Sequence, residues 1–375
     1  MMKKKCKFCN NFLFNKSLIE FKDAPNSAQN FSFKKKFKSS IRLQLYQCSG
    51  CGLVQVTNKP VAYYKSVIRA VGISKSMMKF RKKQFSKFLN KYKLKNKNLI
   101  EIGCGTGDYL NIFSKMNKNS FGIEGSNKNY KICKNKKLKV FKGFVNGQNY
   151  KIFNKKFDAF FIFSYFEHIP NLNDFIKGIH NNLKEDAVGI IEVPNFEMIL
   201  KKKLYTEFII DHLYYFTKKT LKLVLECNGF EIIESSEIWN KYILSVIVRK
   251  RKPIQIKDFN ALNKRLKIQL SKFIKKYPSK KIAVWGAGHQ ALTVISLTNI
   301  SKKIKYIIDS AKFKQNKFAP GLNLKIVSPN FFRKDKIEAV IVMAAGFSNE
   351  VCKIIKSFNK KTSVVKLENN RLIKF

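Results

Sequence analysis

The chain has 375 residues, 45% of them hydrophobic, which is long for one domain and leaves room for two plus a small module. No run approaches the roughly 20 apolar residues that a membrane helix needs, and the Lys3-Lys4-Lys5 start leads into Cys6 without an apolar signal core, so a soluble, cytoplasmic protein is expected. The formal charge of +51 comes almost entirely from lysine spread along the chain; arginine leads in bidentate base and phosphate recognition, so the charge is read as composition bias and a nucleic-acid partner is disfavoured.

In chain order the first feature is a cysteine pattern. Cys6-Lys-Phe-Cys9 and Cys48-Ser-Gly-Cys51 are tight pairs, whereas Cys104, Cys133, Cys227 and Cys352 are scattered singly, which is not a secreted disulfide framework. Two such pairs complete a tetrahedral sulfur shell suited to zinc, and a closed four-thiolate shell leaves no open position, so the zinc is assigned a structural role. The competing reading is two unrelated cysteine pairs. Short strands are expected beside Cys48 and up to Val56. A basic stretch at 75–92, with apolar Met78, Phe85, Phe88 and Leu89, fits a surface helix.

From residue 98 short apolar runs alternate with helical segments, the mark of a doubly wound parallel sheet. Strands are expected at 99–102, 119–123, 140–142, 157–163, 188–193, 230–238 and 243–249, the last two as an antiparallel hairpin at the sheet edge. Arg249-Lys-Arg-Lys-Pro253 reads as a linker, and a helix at about 259–277 leads to a second βα series with strands at 281–285, 305–308, 323–327 and 339–343. The expected architecture is therefore α/β: a small zinc module at 1–74, a Rossmann-like domain at 75–252 and a second, smaller Rossmann-like domain at 253–375.

Glu101-Ile-Gly103-Cys-Gly105-Thr-Gly107 opens the first strand-turn-helix unit. Glycines let such a turn approach a ligand closely, and the following helix offers free N–H groups. A nicotinamide fold uses the same device, so the glycines alone do not name the ligand. Three details favour S-adenosylmethionine: Glu101 inside the strand can meet an ammonium group, the spacing lacks the later glycine of the dinucleotide fingerprint, and Glu124 at the end of the second strand can take both ribose hydroxyls. Together these resemble the class I methyltransferases. His168 follows the fourth strand at the carboxyl rim of the sheet, where open α/β folds bind ligands, and His212 lies beside Asp211 in a loop before the helix at 218–228.

The order of a paired-cysteine zinc module, a class I methyltransferase domain and a Rossmann-like carboxyl domain resembles the zinc-binding sugar C-methyltransferases, which methylate C3 of nucleotide-linked 4-keto-deoxysugars. The resemblance covers nearly the whole chain. It maps the family's tyrosine after the zinc module onto Tyr63 or its neighbour Tyr64, its histidine after the fourth strand onto His168, and its Tyr-His-Glu-His-type motif onto Ile209, Ile210, Asp211 and His212. The motif's tyrosine is Ile209 here and its glutamate is Asp211. In the carboxyl domain Trp285-Gly-Ala-Gly-His-Gln290, Asp309, Ala319-Pro-Gly321, Ile326-Val-Ser-Pro329 and Ala345-Gly-Phe-Ser-Asn-Glu350 fall in the family's order.

The resemblance implies a nucleotide-linked sugar as the small-molecule substrate, His212 as general base, Tyr63 as donor to the enolate, and His168 assisting or placing the sugar. With Ile209 lacking a hydroxyl, Tyr214, Tyr215 or Tyr64 would substitute, or the substrate would differ. The Gly286-Ala-Gly288 turn either binds a substrate phosphate or is a vestigial nucleotide fold. Two other classes compete: an RNA methyltransferase, for which no aromatic-basic recognition motif is found, and a non-catalytic protein that keeps the cofactor fold. A monomer or a homodimer is compatible with the sequence.

Overall fold

The computed structural model describes residues 4–29, 31, 40–66 and 73–375. They form two compact units, Met1–Pro253 and Ile254–Phe375.

In the first unit β1 (Ile19–Pro25), β2 (Ser40–Gln47) and β3 (Val54–Val56) are antiparallel neighbours. Leu43 and Leu45 of β2 are buried, whereas Arg42 before them is exposed and Gln44 between them is half-buried, so one face of this sheet meets the core. Helix α1 (Lys75–Lys91) is capped by the Ser74 side chain, which accepts the Met77 N–H. It buries Arg81, Phe85, Phe88 and Leu89, one helical stripe, and so is a packed helix on one side.

Then follow β4 (Leu99–Ile102), α2 (Asp108–Met116), β5 (Ser120–Glu124), α3 (Asn127–Asn135), β6 (Val140–Lys142), β7 (Phe157–Phe163), α4 (Leu172–Asn181) and β8 (Leu183–Pro194). The unit closes with α5 (Phe196–Lys202), β9 (Tyr214–Tyr215), α6 (Lys218–Cys227), β10 (Phe230–Ile238) and β11 (Ile243–Lys250). Seven of these strands form a sheet in the order β10-β11-β8-β7-β4-β5-β6. Strands β4 to β8 run parallel, and β11 lies antiparallel to both β8 and β10. The chain winds outward from β4 to β6, then crosses back to β7, so a crevice opens at the carboxyl ends of β4 and β7. β7 is apolar almost throughout because both its faces are covered; Phe160, Phe161 and Ile162 are fully buried.

β9 does not join this sheet. It pairs with β3, Tyr215 opposite Val54 and Tyr214 opposite Gln55, and so becomes the fourth strand of the amino-terminal sheet. One buried cluster accordingly contains Cys6, Leu43 and Val54 together with Ile100, Phe160 and Tyr214.

The second unit contains α7 (Lys257–Ile274), β12 (Ile282–Trp285), α8 (His289–Thr298), β13 (Ile304–Ile308), β14 (Ile326–Val327), α9 (Pro329–Lys334), β15 (Ala339–Val342), α10 (Ser348–Phe358), β16 (Ser363–Glu368) and β17 (Arg371–Lys374). Its sheet order is β14-β13-β12-β15-β16-β17, parallel except for β17. Of the expected strand at 323–327, Ile326 and Val327 form β14, and Lys325 makes a separate antiparallel bridge with Phe318. β8 starts at Leu183, ahead of the expected 188, because its first residues pair with the start of β7. Among the described residues no helix is long and apolar enough to cross a membrane.

Candidate active site

β4 is buried throughout, and Glu101 within it is 3% exposed. The loop that follows holds Gly103, Gly105 and Gly107 at φ of +69, +56 and +79°, in the left-handed region that favours glycine. Gly103 has a second reason to be glycine: a Cβ there would lie 2.6 Å from the Tyr165 ring. Above Gly105 no atom lies within 4 Å of a Cβ position, so the loop crest is open. Glu124, at the end of the neighbouring strand β5, accepts the Gly105 N–H at 2.8 Å and the Ser126 N–H at 2.7 Å, one on each carboxylate oxygen. Each oxygen keeps a second lone pair for a ribose hydroxyl. Burial pushes the Glu124 carboxyl up, against the pull of the Ser126 and Gly105 amides. Cys133 of α3 closes the underside of the loop with its thiol 3.2 Å from the Gly105 carbonyl. The glycine loop, Glu101 and Glu124 thus sit together around the carboxyl ends of β4 and β5.

A second polar cluster draws on three stretches of chain. The Tyr63 hydroxyl donates to Asp211 at 2.7 Å. Ala28 N–H approaches both that hydroxyl, at 3.1 Å, and the other Asp211 oxygen, at 3.0 Å, while Gln29 N–H reaches the hydroxyl at 3.2 Å. Burial and the neighbouring Asp211 carboxylate both push the Tyr63 phenol up, so it stays protonated. His168 lies in the single turn Phe166–His168 after β7, and its Nδ1 is 2.7 Å from the Asp211 carbonyl oxygen. A carbonyl only accepts, so Nδ1 carries the proton and Nε2 keeps the lone pair. The His212 ring meets His168 edge to face with centroids 4.9 Å apart. Burial, reinforced by His168, holds the His212 imidazole well below the ordinary histidine range; burial does the same, more mildly, to His168. Tyr63, Asp211, His168 and His212 are therefore one contiguous group, with an uncharged half-buried imidazole at His212.

Cys6, Cys9, Cys48 and Cys51 also converge, with their sulfurs within 4.8 Å of one another. Cys6 and Cys51 are 3.8 Å apart, and Cys9 and Cys48 are 3.4 Å apart. Four thiolates at about 2.3 Å from a tetrahedral ion would lie about 3.8 Å from one another. Backbone N–H groups of Phe8 and Cys51 point at the Cys6 and Cys48 sulfurs at 3.4 Å, and the buried Gln55 amide of β3 donates to Cys6 at 3.1 Å.

Comparison with known proteins adds to this geometry. Residues 77–235 match the methyltransferase domain family, and residues 250–365 match the C-methyltransferase C-terminal domain family. The chain is an S-adenosylmethionine-dependent methyltransferase. Among its relatives, "C-methyltransferase NovU" of Streptomyces niveus is 18% identical over 290 residues, 69% of each chain. A ubiquinone biosynthesis O-methyltransferase of Pelagibacter ubique is 30% identical over 106 residues, 27% of this methyltransferase and 44% of that protein. Among solved structures, an S-adenosylmethionine-dependent methyltransferase from Clostridium acetobutylicum aligns with a TM-score of 0.40 at 16% identity, over 49% of this chain and 94% of that one.

Three features of the methyltransferase were not read from its sequence. Glu167 is buried directly beside both histidines; a carboxyl before a histidine in a loop carries no pattern that marks it. The backbone of Ala28 and Gln29 caps the Tyr63–Asp211 pair, a contact across 183 residues between Ala28 and Asp211. Tyr214 and Tyr215 do not substitute for the hydroxyl missing at Ile209. Tyr214 donates to the Pro170 carbonyl at 2.8 Å, and the Tyr215 hydroxyl is held by the Ile209 main chain, accepting its N–H at 2.9 Å and donating to its carbonyl at 3.1 Å.

Proposed function

We propose that this methyltransferase adds a methyl group to the carbon beside the ketone of a nucleotide-linked keto-deoxysugar, through an enolate. The observation that carries the reading is the uncharged His212 imidazole beside His168 and the Tyr63–Asp211 pair. Support also comes from the match of residues 250–365 to a C-methyltransferase domain. We read residues 1–74 as a module built on a structural zinc ion held by Cys6, Cys9, Cys48 and Cys51, residues 75–252 as the methyl-donor domain and residues 253–375 as the carboxyl domain.

S-adenosylmethionine, when bound, supplies an electrophilic methyl group on a sulfonium. Glu124 would hold its ribose, Glu101 would meet the ammonium of its methionine end, and the glycine loop of Gly103, Gly105 and Gly107 would let it approach the backbone closely. His212 takes the proton from the acceptor carbon, made removable by the adjacent ketone. The electron pair moves onto the ketone oxygen, and the Tyr63 hydroxyl turns its proton from Asp211 toward the developing enolate oxygen. The acceptor carbon, now nucleophilic, would take that methyl group as the bond from methyl to sulfur breaks and a neutral thioether leaves. Asp211 keeps the phenol aimed through its side chain and fixes His168 through its carbonyl. Much of the remaining rate comes from holding two reactants in register.

A second reading, O- or N-methylation of another small molecule, is favoured by one observation: Ile209 offers no hydroxyl where the related motif has tyrosine, and Tyr214 and Tyr215 are committed to the main chain. His212→Asn, assayed by transfer of labelled methyl to nucleotide-linked ketosugars, RNA and small molecules, separates the readings. Loss of about 10²-fold or more in kcat toward a ketosugar, with donor binding retained, is expected for a general base. Near-normal turnover would remove His212 from that role.

A further inference from the structure

The Glu167 side chain is 2% exposed, and its Oε1 is 3.8 Å from Nε2 of His168. Its Oε2 is buried with no hydrogen-bond partner. Among the described residues it forms no ion pair with lysine or arginine. Because His168 gives its Nδ1 proton to the Asp211 carbonyl, the nitrogen that faces Glu167 is an acceptor. An ionised carboxylate is also only an acceptor, so this contact between two lone pairs is repulsive unless a proton lies between them. At 3.8 Å the two atoms lie beyond hydrogen-bonding range, so a bond between them needs the Glu167 side chain to turn toward His168. A nitrogen of His212 lies within 4.8 Å of both groups.

We propose that Glu167 is a positioning residue that works as the un-ionised acid: it donates its carboxyl proton to Nε2 of His168 and thereby holds His168, as the neutral Nδ1–H tautomer, against His212. Both His168 nitrogens are then engaged, one by Asp211 and one by Glu167, and the ring is fixed without charge. An uncharged neighbour matters because His212 must accept a proton during turnover; a cationic His168 at this distance would oppose that step. The inference rests on His212 as general base. No proton is consumed by Glu167, which keeps its own throughout.

The titratable groups around the pair are His212 and Asp211 on the loop before β9, Tyr63 bonded to Asp211, and Tyr242 ahead of β11, whose hydroxyl donates to Glu207 at 2.7 Å. Burial pushes the Glu167 carboxyl up to about 8, so the acid form prevails at neutral pH and is lost as pH rises through that value.

The test compares Glu167→Gln with Glu167→Ala. A glutamine amide N–H can replace the acid proton, and alanine cannot. Gln is expected to keep kcat within about threefold at pH 7 and to abolish the fall in activity above about pH 8, while Ala loses about tenfold or more in kcat with KM for both substrates little changed. Nitrogen-15 NMR of the histidines gives a readout that needs no acceptor: the neutral Nδ1–H tautomer of His168 persists in Gln and becomes a mixture in Ala. Donor binding, measured by calorimetry, controls for folding in both variants. A Gln variant as impaired as Ala, an Ala variant with wild-type kinetics and tautomer, or a divalent metal ion bound by wild type and lost from Gln would each overturn the proposal. If the NMR result holds while no ketosugar is methylated, the acceptor assignment fails and the role of Glu167 stands.

Discussion

His212 draws its chemistry from its surroundings rather than from its neighbours in sequence. Burial and His168 hold its imidazole uncharged, and the sign of that shift sets a pH dependence. A base with its proton affinity lowered stays competent as pH falls, so the acid limb of kcat/KM is expected below the ordinary histidine value of about 6.5. A pH–rate profile checks this, and an acid limb at or above that value would mean that the imidazole is solvated or paired. At this scale the sequence was legible where the signal is local. The glycine spacing, Glu124 at the end of the second strand, and the two cysteine pairs are all short-range patterns, and each group converges in space. Pairings across the fold were not legible: the bond between Tyr63 and Asp211 spans 148 residues, and nothing in either stretch announces it. Glu167 was invisible for a different reason, since only burial distinguishes it from any other loop carboxylate.

β9, only two residues long, is the element that connects the cysteine cluster to the His212 loop. It follows His212 directly, and it pairs with β3, which follows Cys51 and carries Gln55. Gln55 bonds the Cys6 sulfur through its amide nitrogen and accepts the Lys7 N–H through its oxygen, so the thiol cluster, β3, β9 and the His212 loop form one mechanical unit. Tyr215 then pins Ile209 from the other side of His212. A structural ion bound to the cysteines would therefore hold the loop of His212, the proposed base, although no cysteine touches a reactant. Removal of the metal with a chelator, or Cys48→Ser, is expected to cut methyl transfer by about tenfold or more while donor affinity changes less than about twofold, because the glycine loop and Glu124 belong to a different sheet. Parallel loss of both, followed by calorimetry and turnover on the same sample, would show instead that the whole unit unfolds. Two-residue strands such as β9 escape sequence reading because their pairing is set by the partner and not by a run of alternating residues.

Across the whole chain one local device occurs twice. Asp309, after β13, accepts the Ala287 N–H at 2.7 Å and the Ala311 N–H at 2.8 Å, as Glu124 does with Gly105 and Ser126 after β5. The two copies differ in what else they hold. Asp309 also meets the Lys314 ammonium at 3.3 Å, and a Cβ at Gly286 would lie 2.4 Å from the Met343 carbonyl, so that glycine is required by packing against the end of β15. The alternation of apolar runs with helices was enough to read both βα series. The last two strands, β16 and the edge strand β17, were not read, because the polar Lys366, Glu368, Arg371 and Lys374 interrupt their apolar pattern.

The central claim, methyl transfer to carbon beside a ketone, is tested most directly by where the new methyl group sits. Carbon-13-labelled S-adenosylmethionine, the intact protein and a nucleotide-linked 4-keto-deoxysugar are incubated, and the product is examined by NMR. A labelled methyl bonded to the carbon next to the carbonyl is the expected result; a labelled methyl on oxygen or nitrogen, or no labelled sugar when another acceptor is methylated, would contradict it.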